Sequence, residues 1–137
     1  MLRDNRDNRE SIDVNEIIRR LPSAMDKTRD PNGTDLFYCA ENVGLLLRKK
    51  DISVSQIRKV FNEAMKIEYD DEGPYRLKML KAGIAYTAGR FGKKMDEFKL
   101  IFSTAIDLAE KDADSLKRFK DFFEAVIAYH RAYGGRE

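Results

Sequence analysis

The stretch Ser53-Val54-Ser55-Gln56-Ile57-Arg58-Lys59-Val60-Phe61-Asn62-Glu63-Ala64-Met65 decides the fold class. Ser53 and Gln56 stand three apart, as a capping box requires: the hydroxyl and the amide each satisfy a backbone N–H left open at a helix start. Val54, Ile57, Val60, Phe61, Ala64 and Met65 then follow at three and four residue spacing, the period of an amphipathic helix. No strand-like alternation interrupts it.

The same rhythm extends on both sides. Upstream, Leu36, Phe37, Ala40, Val43, Leu46 and Leu47 predict a helix over about 35–50, with Thr34 as its cap. Downstream, the acidic turn Asp70-Asp71-Glu72-Gly73 leads into Pro74, well placed for the first turn of a helix with Leu77, Leu80, Ile84 and Ala88 inward. Gly89 and Gly92 bracket the next break. Further helices are expected over about 94–111, burying Phe98, Ile101, Phe102, Ala105, Ile106 and Ala109, and over about 114–133, burying Leu116, Phe119, Phe123, Val126 and Ile127, before Gly134-Gly135. The expected fold is all-α, a compact bundle of about five helices over residues 34–137. Residues 1–33, with the near-repeat Arg3-Asp4-Asn5-Arg6-Asp7-Asn8-Arg9 and two of the three prolines, read as a flexible N-terminal arm carrying one short helix, 13–21.

A chain of 137 residues allows one sizeable core. It has no apolar run long enough to span a bilayer and no signal-like N-terminus, so a soluble cytoplasmic protein is expected. Cys39, the single cysteine, sits among Phe37, Tyr38 and Ala40 and reads as a small buried hydrophobe. Net charge is only +2, but residues 48–94 hold twelve Lys or Arg against six Asp or Glu, while residues 95–114 hold two against six. Such separation steers a polyanion to one face and a basic neighbour to another, or else marks ordinary solvated helices.

Catalytic chemistry has little to stand on. His130, the only histidine, lies at helical spacing with Phe123, Val126 and Tyr133 and reads as a packed or capping residue. Glu68, Asp70, Asp71 and Glu72 lack the spacing of a calcium loop. There is no phosphate-cradling glycine loop, so no catalytic residue, metal or cofactor is expected. The cations are more informative. Arg48, Lys49 and Lys50 end one expected helix, and Arg58 and Lys59 lie on the polar face of the next, beside Ser55 and Gln56. Together they suit phosphate contacts, or else complement a helix dipole on an ordinary surface. Arg76, Lys78, Lys81, Arg90, Lys93 and Lys94 form a second basic set, and the placement of Tyr75, Tyr86 and Tyr129 stays open between the core and a face that meets a partner.

Three blocks, Ile52-Ser53-Val54-Ser55-Gln56-Ile57-Arg58-Lys59, Ile84-Ala85-Tyr86-Thr87-Ala88-Gly89-Arg90 and Phe122-Phe123-Glu124-Ala125-Val126-Ile127-Ala128-Tyr129-His130, resemble in order and spacing the small-subunit (Csm) family of type III-A CRISPR interference complexes. The resemblance covers about residues 36–135; Val54 stands where a threonine is more usual. It implies a non-catalytic helical subunit, present in several copies and self-associating, that lies along guide RNA and target RNA beside the other subunits. Carried onto this chain, it makes Lys49, Lys50, Ser55, Gln56, Arg58 and Lys59 the first candidates for RNA-backbone contact and Arg90 a second, with Arg118, His130 and Arg131 behind them. Two other readings stay open: a helix-turn-helix DNA-binding regulator using residues 53–59 as its recognition helix, and a helical adaptor that binds protein alone.

Overall fold

A computed structural model describes residues 12–137. Among them are six helices: α1 Val14–Ala24, α2 Thr34–Lys49, α3 Val54–Lys66, α4 Gly73–Phe91, α5 Asp96–Ala109 and α6 Ala113–Ala132. A one-turn 3-10 segment, Lys93–Met95, joins α4 to α5, and the described residues contain no strand. The chain is the all-α bundle that its periodicity predicts.

Short turns make successive helices antiparallel, so their ends gather at two poles. The first pole collects the α2–α3 and α4–α5 turns, where Lys50 Nζ lies 3.4 Å from Glu97 and His130 Nε2 2.8 Å from the Ile52 carbonyl. The second collects the loops after α1, α3 and α5. There Lys78 Nζ lies 2.9 Å from Glu110, Tyr69 donates to the Glu110 carbonyl and Lys27 pairs with Asp114.

Between the poles α2 and α6 form the most extensive helix pair. They approach closely because Gly44 has no side chain: a Cβ there would stand 2.8 Å from the His130 nitrogen and 2.9 Å from the Val126 carbonyl oxygen. Phe102 of α5 centres the core, with Phe98 and Phe123 each 4.6 Å away between ring centroids and Phe122 at 5.4 Å. Phe61 of α3 meets Phe123 edge-on at 5.2 Å, the geometry that ring quadrupoles favour. Cys39 is fully buried, and burial pushes its thiol up to about 12. Phe37, expected inward, is half exposed instead.

The segment expected to be a flexible arm differs over residues 12–33. The short helix expected at 13–21 runs from Val14 to Ala24, capped by the Asp13 carboxylate, and Ile17, Leu21 and Ala24 are buried against α2 and α5. Asp30 then turns inward: its two carboxylate oxygens each accept from α2, from the Asp35 and Leu36 N–H groups, both at 3.0 Å. That replaces the cap expected from Thr34, since the N-cap position is Gly33 in a left-handed conformation with φ 77° and no side chain to offer. Residues 1–11 of the expected arm lie outside the described residues.

Candidate nucleic-acid interface

The first pole is built on one tight turn. α2 ends in Arg48, Lys49 and Lys50, three exposed cations where the helix carries partial negative charge. Asp51 reverses the chain at φ 57°, and Ile52 enters the core. Ser53 and Gln56 close the capping box on α3: Gln56 N donates to Ser53 Oγ at 3.3 Å, and Ser53 N donates to Gln56 Oε1 at 3.0 Å. Lys94, from the 3-10 turn, donates to the Asp51 carbonyl at 2.9 Å and to Gln56 Oε1 at 3.2 Å. The second basic set of the sequence thereby reaches the first.

After α6 the chain doubles back over this turn. Gly134 takes φ 88°, and Gly135 lies flat on the His130 ring, where a Cβ would come within 2.3 Å. The Arg136 and Glu137 carbonyls then accept from Val54 N at 3.2 Å and Ser55 N at 2.5 Å, two of the open donors of α3. The Glu137 carboxylate pairs with Arg58 and lies 3.4 Å from Arg131, and Arg136 Nε donates to Asp51 at 2.8 Å. That Arg136 bond is the largest cause holding the Asp51 carboxyl below the usual aspartate range.

His130 supports the turn from below. It is 2% exposed, and because Ile52 offers a carbonyl, Nε2 must carry the hydrogen and donate. Burial is the main cause of its lowered pKa, so the neutral ring is favoured.

The structure thus divides the ten candidates. Lys49, Lys50, Ser55, Arg58 and Arg131 are exposed at this pole, with Gln56 half-buried within it. Lys59 points outward one step along α3, its side chain 87% exposed and only 3.8 Å from Glu63. Arg90 is exposed on the last turn of α4, its guanidinium 5.1 Å over the Phe91 ring. His130 lies inside. Arg118 is elsewhere: at the second pole it donates to the Ala24 and Asp30 carbonyls and pairs with the Asp30 carboxylate, its side chain 14% exposed.

Arg136 is the functional candidate that sequence reasoning passes over. A glycine pair reads as a helix stop, but the freedom that ends the helix also lets the chain return. Arg48 is exposed and makes no ion pair among the described residues. Within the acidic segment, Asp107 of α5 and Glu110 just after it pair with Lys81 and Lys78 of α4.

Arg48, Lys49, Lys50, Arg58, Lys94, Arg131 and Arg136 therefore share one pole with Asp51, Glu97 and Glu137. A cavity among them, lined by Arg48, Asp51, Ile52, His130, Gly134, Gly135 and Arg136, is about 160 Å³. That is too small for a cofactor. Exposed cations round a shallow surface suit an extended polyanion, whose phosphates are held by charge and hydrogen bonds without base recognition. Among the described residues no three His, Cys, Asp or Glu side chains gather as a metal site, and no helix is long and apolar enough to cross a membrane.

In comparisons with known proteins, a family model described as Csm2 Type III-A matches residues 30–136. No curated protein and no solved structure matches the chain.

Proposed function

The chain belongs to the Csm2 Type III-A family and is thus a small subunit of the type III-A complex, and on that footing we propose that it binds the backbone of guide or target RNA through its first pole, without catalysis or base preference. The observation carrying this reading is the convergence of cations from α2, α3, the α4–α5 turn and the segment after α6 on one surface. A subunit serving any guide sequence must hold phosphates and leave specificity to base pairing. Lys49, Lys50, Arg58, Lys94, Arg131 and Arg136 supply the charge, Ser55 a hydroxyl, and Arg90 and Lys59 extend the surface to either side. His130 and Arg118 act through the fold: one holds the Ile52 turn, the other anchors Asp30.

Residues 53–59 are poorly placed for the DNA-regulator reading, because Arg136 and Glu137 cover the start of α3 that a recognition helix would insert into a groove. Both His130 and Cys39 are buried, which speaks against using either as a nucleophile or base.

Purifying the tagged protein from a cytoplasmic extract of its own cells tests the proposal. Co-purification of larger subunits with RNAs that share a 5′ segment and differ beyond it is the expected result. Protein partners without RNA would replace this reading with the adaptor, and discrete duplex DNA fragments with the regulator.

A further inference from the structure

We propose that Arg58 and Arg131 form a seat for a single phosphodiester, and that the Glu137 carboxylate occupies this seat until an RNA phosphate displaces it. The inference rests on the proposed function and adds to it how the first pole is regulated. The two arginines come from different helices, α3 and α6, and meet over one group. One Glu137 carboxylate oxygen accepts from the Arg58 guanidinium and the other from Arg131 at 3.4 Å. Two guanidiniums, each on its own oxygen of one anion, hold a carboxylate and a phosphate by the same contacts. The carboxylate therefore stands in the place of a phosphate.

The segment that carries Glu137 is fastened independently of this side chain. Gly135 packs on the His130 ring, the Arg136 and Glu137 carbonyls accept from the Val54 and Ser55 N–H groups, and Arg136 pairs with Asp51. Those contacts keep the main chain and Arg136 in place whatever the carboxylate does. The carboxylate itself is loosely held: the Arg58, Arg131 and Glu137 side chains are 50, 52 and 63% exposed, and ion pairs so open to water contribute little. Rotation of the Glu137 side chain thus frees both guanidiniums without undoing the turn. A small anion gains nothing over the carboxylate it would replace. A backbone already held by Lys49, Lys50 and Arg136 is different, because it presents its next phosphate at high effective concentration. The seat opens to an extended polyanion and stays closed to an isolated phosphate.

Complexes reconstituted with variants of this chain and titrated with target RNA over a range of salt test it. Glu137→Gln keeps the length of the side chain and the main-chain contacts but removes the charge. It should tighten RNA binding at least about threefold. It should also steepen the log-log salt dependence by about one unit for each copy on the RNA, since Arg58 and Arg131 then bring their own counterions to release. Arg58→Ala combined with Arg131→Ala should weaken binding, and adding Glu137→Gln to that pair should change nothing further. This comparison separates occupation of the seat from the mere loss of a negative charge near RNA. A Glu137→Gln complex that binds like the wild type, while the arginine pair still matters, overturns the inference and leaves the proposed function standing. Equal tightening with and without the two arginines overturns it as well, as a general charge effect. An arginine pair whose removal costs no affinity takes away the first pole as the RNA surface, and both readings fall together.

Discussion

The two poles of the bundle use the same residue types for different ends. At the second pole Arg118 is sunk between Ala24 and Asp30, and Lys27, Lys78 and Lys111 each face a carboxylate of a neighbouring segment. At the first pole the carboxylates are fewer: Glu137 is shared between Arg58 and Arg131, Asp51 faces Arg136, Glu97 faces Lys50, and Arg48 has no acidic partner among the described residues. At the second pole the paired cations tie neighbouring segments together. At the first, Arg58 and Arg131 share one carboxylate and the cations outnumber the acids beside them. What separates the poles is how charge is shared in three dimensions, which a count of cations along the chain does not reveal.

The most severe way to probe this contrast is Arg118→Ala. It strands Asp30, 5% exposed, without its cation, and should cost about 3 kcal/mol of stability in urea unfolding. RNA affinity per folded molecule should stay unchanged; a loss of affinity with the fold intact would dissolve the contrast. Reversing Lys49, Lys50, Arg58 and Lys94 to Glu should do the opposite. RNA affinity of the assembled complex should fall at least about a hundredfold, roughly 2.7 kcal/mol, and the salt dependence of binding should flatten by about one unit of log-log slope for each phosphate no longer held. Reversal of Lys27, Lys78 and Lys111 is the control, and an equal loss per reversed charge there would show that only total charge matters.

A smaller effect is expected from pH. His130 has a lowered pKa in the fold, so the unfolded chain takes up a proton first as the solution is acidified. Stability from the neutral ring is complete above the ordinary histidine value, about 6.5, and is lost as pH falls through the folded value. Melting temperature should therefore drop between about pH 7.5 and about pH 5.5, and His130→Gln should flatten that dependence; since the chain has one histidine, a persistent drop would remove the assignment. Least affected should be Lys117→Ala. It breaks an exposed pair with Asp121 at 3.0 Å on α6 and should change stability by less than about 0.5 kcal/mol, with no effect on RNA.

Local signals carry the fold a long way. The Ser53–Gln56 capping box appears as expected, the apolar stripes do so apart from the half-exposed Phe37, and of the two glycines expected to bracket the break Gly92 ends α4 while Gly89 lies within it. Asp30 and Arg118 show where such reading ends. They lie 88 positions apart, and neither neighbourhood announces a buried pair. Ile17 and Leu21 are legible as a short stripe, but the charged repeat before them makes an arm the simpler expectation. The candidate site divides the same way. Lys49, Lys50 and Arg58 stand near one another in sequence and in space, whereas Lys94 and Arg136 join them only through folding. The acidic segment 95–114 makes the same point: Asp107 and Glu110, conspicuous along the chain, are answered by Lys81 and Lys78 one helix back.

The segment that returns over α3 gives the first pole a further property. Its surface exists only when residues around 50, 94, 131 and 136 are all in register, held by contacts such as Arg136–Asp51 and Lys94–Gln56. A partly folded copy presents scattered cations on a loose chain and no continuous surface. On the proposed function, binding through this pole would double as an inspection step: only a copy whose segments around residues 50, 94, 131 and 136 have reached the native state offers the surface.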